Sequence, residues 1–139
     1  MSAVPVLSHR AAAAALKVLR RTHLETALQG VAGEKRFALY ALVGPRQDPA
    51  PRLAAAQALA TQRGWTVAER AVDLTGPTDP ATRPQLARLL AAARRGEIHG
   101  IIAASRVDIS NDDEEYEAML ARIRVAGAAL ALTREETAL

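Results

Sequence analysis

From about residue 36 onward the chain alternates short apolar runs with longer amphipathic stretches, and that alternation leaves few folds open. The apolar runs are Phe37 to Val43, Trp65 to Val72, Ile98 to Ala103 and Ala128 to Leu132. Turn residues bound them: Gly44-Pro45 follows the first, and Gly64, Gly96-Glu97 and Gly127 precede the others. Between them, Pro51 to Arg63, Thr82 to Arg95 and Asp112 to Ala126 carry apolar residues at three- and four-residue spacing, as helices with one buried face do. Strands separated by helices need crossover connections. The expected fold is therefore an α/β domain, a three-layer α/β/α arrangement around a mostly parallel sheet of about four strands.

A further helix is expected ahead of this unit, from Ser8 to about Val31. Leu16, Leu19, Leu24, Leu28 and Val31 form its apolar stripe, with Lys17, Arg20 and Arg21 clustered beside it. The run Ala11 to Ala15 favours the helix and allows close approach to another surface. Residues 30–36 then act as a linker. The expected division is a helical extension over 1–35 and an α/β domain over 36–139, with no C-terminal helix-turn-helix domain expected.

Composition closes several functional classes. With no Cys among 139 residues, disulfides, thiolate catalysis and Cys-based zinc sites are excluded. His9, His23 and His99 are scattered without ligand spacing, so neither a metal nor a cofactor is expected. No apolar stretch reaches the roughly 20 residues a membrane span needs, and His9 and Arg10 interrupt any signal-type core, which points to a cytoplasmic protein without a membrane partner. The 32 Ala, and 16 Arg against 2 Lys, carry the stamp of a GC-rich genome, so the net charge of +3 is weak evidence for a nucleic-acid partner. The acidic run Asp113-Glu114-Glu115 follows a capping residue at Ser110, Asn111 or Asp112 and reads as a solvated helix start, where the dipole favours negative charge.

Specific residues then carry a family resemblance. They are the opening strand Phe37-Ala-Leu-Tyr40, the helix ending Ala60-Thr-Gln-Arg-Gly64-Trp65, and Asp73 with Thr75-Gly76 before Arg83-Pro84-Gln-Leu86. Leu89 to Gly96, Ile101-Ile102, Leu120 to Leu130 and Arg134-Glu135-Glu136 continue the pattern. Over roughly three quarters of its length the chain resembles the N-terminal catalytic domain of serine recombinases, the resolvase/invertase family. That resemblance implies a Tyr-x-Arg-x-Ser motif at the end of the first strand, whose Ser attacks a DNA phosphodiester while arginines stabilise the developing charge. Here Tyr40 keeps its place, but Leu42 stands at the Arg position and Gly44 at the Ser position. The family's Asp-Arg-Leu-x-Arg segment falls on Val107 to Asn111, which puts Asp108 and Asn111 where the two arginines belong; a shift of two residues recovers Arg106 alone. The family's first-helix Gln falls on Arg52. The implied site is degenerate, and the protein is expected not to be an enzyme.

Three functions follow as expectations. The first is a pseudo-resolvase acting as a protein-interaction or regulatory module, pairing with itself or a recombinase-like partner through Leu16, Leu24 and Leu28. The alternative is non-specific DNA association through Arg10, Lys17, Arg20 and Arg21, which would be weak and salt-sensitive. The third is phosphate-ligand chemistry, which requires Arg46, Arg52 and Arg106 to converge at the carboxyl end of the sheet. No general base is placed by sequence beside Ser2, Ser8, Ser105 or Ser110, and Trp65 reads as a core residue.

Overall fold

Residues 3–138 are described by the computed structural model, with side chains from residue 9 onward. Helix α1 (Ala3–Gln29) is followed by β1 (Arg36–Leu42), α2 (Ala50–Arg63), β2 (Thr66–Asp73), α3 (Pro84–Arg94), β3 (Gly100–Ala103), α4 (Asp113–Val125) and β4 (Ala129–Leu132). Each strand is joined to the next by a helical crossover, which makes every pairing parallel, and the sheet order is β2-β1-β3-β4.

The two-residue period of the strands sorts their side chains into two cores. Ala38, Tyr40, Leu42, Ile101, Ala103, Leu130 and Leu132 point to one face and meet Leu86, Leu89 and Leu90 of α3 and Tyr116, Met119, Leu120 and Ile123 of α4. Phe37, Leu39, Ile102 and Ala131 point to the other face and meet Ala56, Leu59 and Ala60 of α2. Three layers result, as the alternating pattern requires.

Helix α1 belongs to this core. Leu16 is 5% exposed and joins the α3–α4 side with Leu19 packed against it, whereas Leu24 and Leu28 pack on the α2 side. The helix therefore straddles β4, an edge strand whose free backbone groups would otherwise invite pairing with another chain. The stripe of Leu16, Leu24 and Leu28, expected to pair with a partner, is packed within the chain. At the opposite edge β2 is half-exposed and carries Glu69 and Arg70, charges that discourage edge-to-edge pairing.

Local departures from the sequence reading have local causes. The helix expected from Thr82 is split into a 3-10 turn (Pro80–Thr82) and α3, because Arg83 precedes Pro84 and takes an extended conformation (φ −81°, ψ 124°). Strand β3 opens at Gly100 rather than Ile98, though Ile98 remains buried. Trp65 lies just before β2 and stacks on Phe37 with ring centroids 4.0 Å apart and planes 12° from parallel, closing the α2 side of the core.

Candidate functional site

The chain winds to one side of β1 through α2 and to the other through α3, so the sheet reverses its winding between β1 and β3. Open parallel sheets bind ligands at the carboxyl ends of the strands flanking such a reversal. A cavity of about 570 Å³ opens there, lined by Leu42, Val43 and Gly44 after β1 and by Val107, Ser110 and Asn111 after β3.

Asp108 organises the loops at this end of the sheet. Its carboxylate, fully buried, accepts from the Leu42 amide (3.0 Å), the Ser105 amide (3.2 Å), and Arg52 Nε and Nη2 (2.6 and 2.8 Å). The bidentate Arg52 guanidinium also donates to Ser105 Oγ (3.1 Å), and the bond to Asp108 raises its pKa further. One carboxylate thus ties the end of β1, α2 and the 3-10 turn after β3 (Arg106–Asp108) into a single unit.

A second buried cluster includes Arg83, which itself lines the cavity. Helix α3 starts at Arg83-Pro84 without a side-chain cap of its own, and Asp73, at the end of β2, supplies the missing acceptors to the Gln85 and Leu86 amides, both at 3.0 Å. Tyr40 donates to the same carboxylate at 2.9 Å, and burial pushes its phenol well above the ordinary tyrosine value. Arg83 is only 1% exposed; its guanidinium donates to the carbonyls of Thr78, Asp108 and Ile109 at 2.6–3.2 Å. It braces the loop before α3 against the loop after β3.

The rim is built from helix-capping groups. Asp112 accepts from the Glu115 amide (2.9 Å), Ser110 Oγ donates to Glu115 Oε1 (2.8 Å), and the same hydroxyl accepts from the Asp112 amide (3.0 Å). Of the three capping candidates Asp112 is the N-cap of α4, and Ser110 has a carboxylate partner, Glu115, that the sequence did not reveal. The Gly44 amide is taken by Gln47 Oε1 at 2.6 Å.

Of the six positions singled out by the resemblance, Leu42, Gly44 and Asn111 line the cavity, whereas Tyr40, Arg52 and Asp108 are not among its lining residues. The three arginines of the anion-site reading do not converge. Arg46 is exposed in the turn after β1, and Arg52 is held by Asp108. Arg106 lies over the Tyr116 ring (4.6 Å), bonded to the Ser110 carbonyl (3.0 Å) with Nη2 2.9 Å from Asp113 but outside hydrogen-bond orientation. Among the described residues no group of three or more His, Asp or Glu could hold a metal ion, and no helix is long and apolar enough to cross a membrane.

The basic face expected on α1 is largely engaged inside the molecule. Arg20, 3% exposed, makes a bidentate pair with Glu136 (2.6 and 3.1 Å), and Tyr116 donates to the same carboxylate at 2.6 Å. Burial and the adjoining Glu136 charge raise the Tyr116 phenol far above its ordinary value. Lys17 Nζ lies 3.1 Å from Glu135, whose carboxyl it holds below the usual range, and Arg21 lies 4.0 Å from the same oxygen. Arg20 is thereby corrected from a phosphate-facing cation to a buried anchor, and Arg10 is exposed. Sequence reasoning also passed over Arg83 and Asp73 as site-building residues; the capless start of α3 is the signal that could have found Asp73.

No protein-family model and no curated protein matches the sequence. Solved structures do match in fold. The N-terminal catalytic domain of TP901-1 integrase superposes with a TM-score of 0.63 at 14% identity, covering 71% of this chain and 77% of that one. The C-terminal catalytic domain of ISC1926 TnpA, an IS607-like serine recombinase, gives 0.61 at 16% identity over 70% of each chain. A serine recombinase from Sulfolobus solfataricus gives 0.55 at 14% identity over 73% of this chain and 70% of that one. At these identities the likeness is one of fold, and the fold is that of serine recombinase catalytic domains.

Proposed function

We propose that the chain is a resolvase-fold domain without phosphoryl-transfer activity that works as a protein-interaction or regulatory module. The observation that carries this reading is the state of the arginines around the cavity. Arg83 is buried with its donors on backbone carbonyls, and Arg52 is bidentate to Asp108. Transfer of a phosphodiester needs an activated nucleophile and cations aimed at the charge that develops on phosphorus. Here a phosphate entering beside Leu42 and Gly44 would meet Arg83, whose donors are already held by backbone carbonyls, and the Asp112 and Glu115 carboxylates at the rim.

Protein contact is favoured over DNA contact because Lys17, Arg20 and Arg21 face Glu135 and Glu136, so most of the positive charge of α1 is neutralised within the chain. The test is incubation of excess protein with supercoiled plasmid, followed by gel analysis of topology. No nicking or relaxation is expected. Relaxation that follows the protein through purification and disappears in Ser110→Ala would overturn the reading.

A further inference from the structure

We infer that α4 is a self-association surface, through which two copies of this chain pair antiparallel about a two-fold axis. The inference does not depend on whether the cavity performs chemistry. Tyr116, Met119, Leu120 and Ile123 face the core, which leaves the opposite face of α4 to solvent. That face is acidic at one end (Glu114, Glu117), small in the middle (Ala118, Ala121) and basic at the other (Arg122, Arg124). Val125 adds a large apolar side chain 77% exposed at the basic end.

These charges have no partner in their own chain. Among the described residues none of Glu114, Glu117, Arg122 and Arg124 enters a hydrogen bond or ion pair through its side chain. Pairing within the helix is ruled out by spacing. The positions three and four before Arg122 are Met119 and Ala118, and those before Arg124 are Ala121 and Leu120. Glu117 and Arg124 are two helical turns apart and share one side of the outward face, separated by about 10 Å along the axis.

An antiparallel second copy resolves this arrangement. A two-fold axis beside Ala121 sets Glu117 opposite the partner's Arg124 and Arg124 opposite the partner's Glu117. Small residues at the crossing let two helix axes approach to about 8 Å, and Val125 then lies against the partner's Ala118. Helix α4 stands between two surface hollows that leave it accessible: one of about 480 Å³ toward α1, lined by His23 and Ala27, and one of about 240 Å³ toward the end of α3, lined by Arg94. Because the start of α4 lines the site cavity, this pairing puts the two cavities at opposite ends of the dimer. One helix against one helix buries less than the area of a typical stable interface, so the dimer is weak and sensitive to salt.

Sedimentation velocity of the full chain, from low-micromolar to near-millimolar concentration and at low and high salt, tests the inference with four samples. The expected result is a concentration-dependent dimer for the wild type, weakened by salt. Glu117→Arg and Arg124→Glu, each placing like charges opposite one another twice, should remain monomeric. The equimolar mixture of these two variants should recover the dimer, because every opposed pair is then of opposite sign. Both sites are exposed, and unchanged thermal melts verify that the variants fold. A wild type monomeric throughout, single variants that dimerise like the wild type, or a mixture that fails to recover would each overturn the inference.

Discussion

Replacing Glu136 by glutamine is nearly isosteric, yet it removes the only carboxylate directly bonded to the Arg20 guanidinium, 96% of whose side-chain surface is buried. The glutamine oxygen, placed where Oε2 stands, can still accept from Arg20 Nε and from Tyr116, but its amide group then turns its own donors toward Arg20 Nη2. At least one buried donor is left unpaired, at about 1–3 kcal/mol, and the stranded charge brings the cost of breaking such a pair to about 3–5 kcal/mol. Glu135 lies 3.9 Å from Arg20 and takes over part of the charge, which favours the lower figure. With an unfolding entropy of about 0.29 kcal/mol/K for 139 residues, a loss of about 3 kcal/mol lowers the melting temperature by about 10 °C. Circular dichroism melts and urea titrations measure the loss, and amide exchange over residues 16–28 should show α1 released first. Adding Arg20→Met removes the stranded charge, so the double variant should be more stable than Glu136→Gln alone. A single variant costing under about 1 kcal/mol, as an exposed ion pair would, or a double variant costing the sum of the singles, would refute the account of α1 as a buried clasp.

Other consequences concern packing and protonation. In Gly100→Ala the new methyl would lie 2.4 Å from Phe37 Cε2 and 2.7 Å from the Ala129 carbonyl, so a loss of about 1–3 kcal/mol or more is expected, with altered Trp65 fluorescence because Phe37 carries the indole. Both tyrosines have folded pKa values raised chiefly by burial, so the stability they contribute is complete below the unfolded value near 10 and declines as pH climbs past it; ultraviolet titration should show tyrosinate only as the chain unfolds. His99 is held below its ordinary 6.5, first by desolvation and then by Arg36, and its Nδ1 accepts from the Arg36 amide at 2.9 Å. A lowered pKa means its contribution is complete above the unfolded value and shrinks as pH falls below it. The urea midpoint should therefore drop between about pH 7.5 and about pH 5, and His99→Gln should flatten that drop.

The fold was legible because the strands announce themselves by short apolar runs and the helices by their three-and-four spacing, two signals that depend only on which face is buried. Phe37 and Leu39 against Ala38 and Tyr40 already encode the two cores. What escaped depends on contacts distant in sequence. Arg20 sits beside an apolar stripe and reads as a solvated cation; its partner Glu136 lies 116 residues away, inside what looks like a charged surface turn. Arg83 similarly looks like a helix-leading residue before proline, and only the folded chain shows the carbonyls of residues 78, 108 and 109 gathered around it. The positions singled out by the resemblance were legible in the sequence, but the pairing of Arg52 with Asp108 was not, since each reads separately as a substitution.

Intact-mass measurement of the protein after incubation with duplex DNA and denaturation tests most directly whether this domain has left phosphoryl transfer behind. The account predicts a single species at the mass of the unmodified chain, since Arg52, the cation beside Ser105, is committed to Asp108, and Ser110 is bonded to the Glu115 carboxylate. A nucleotide-bearing adduct mapped to either serine would contradict it.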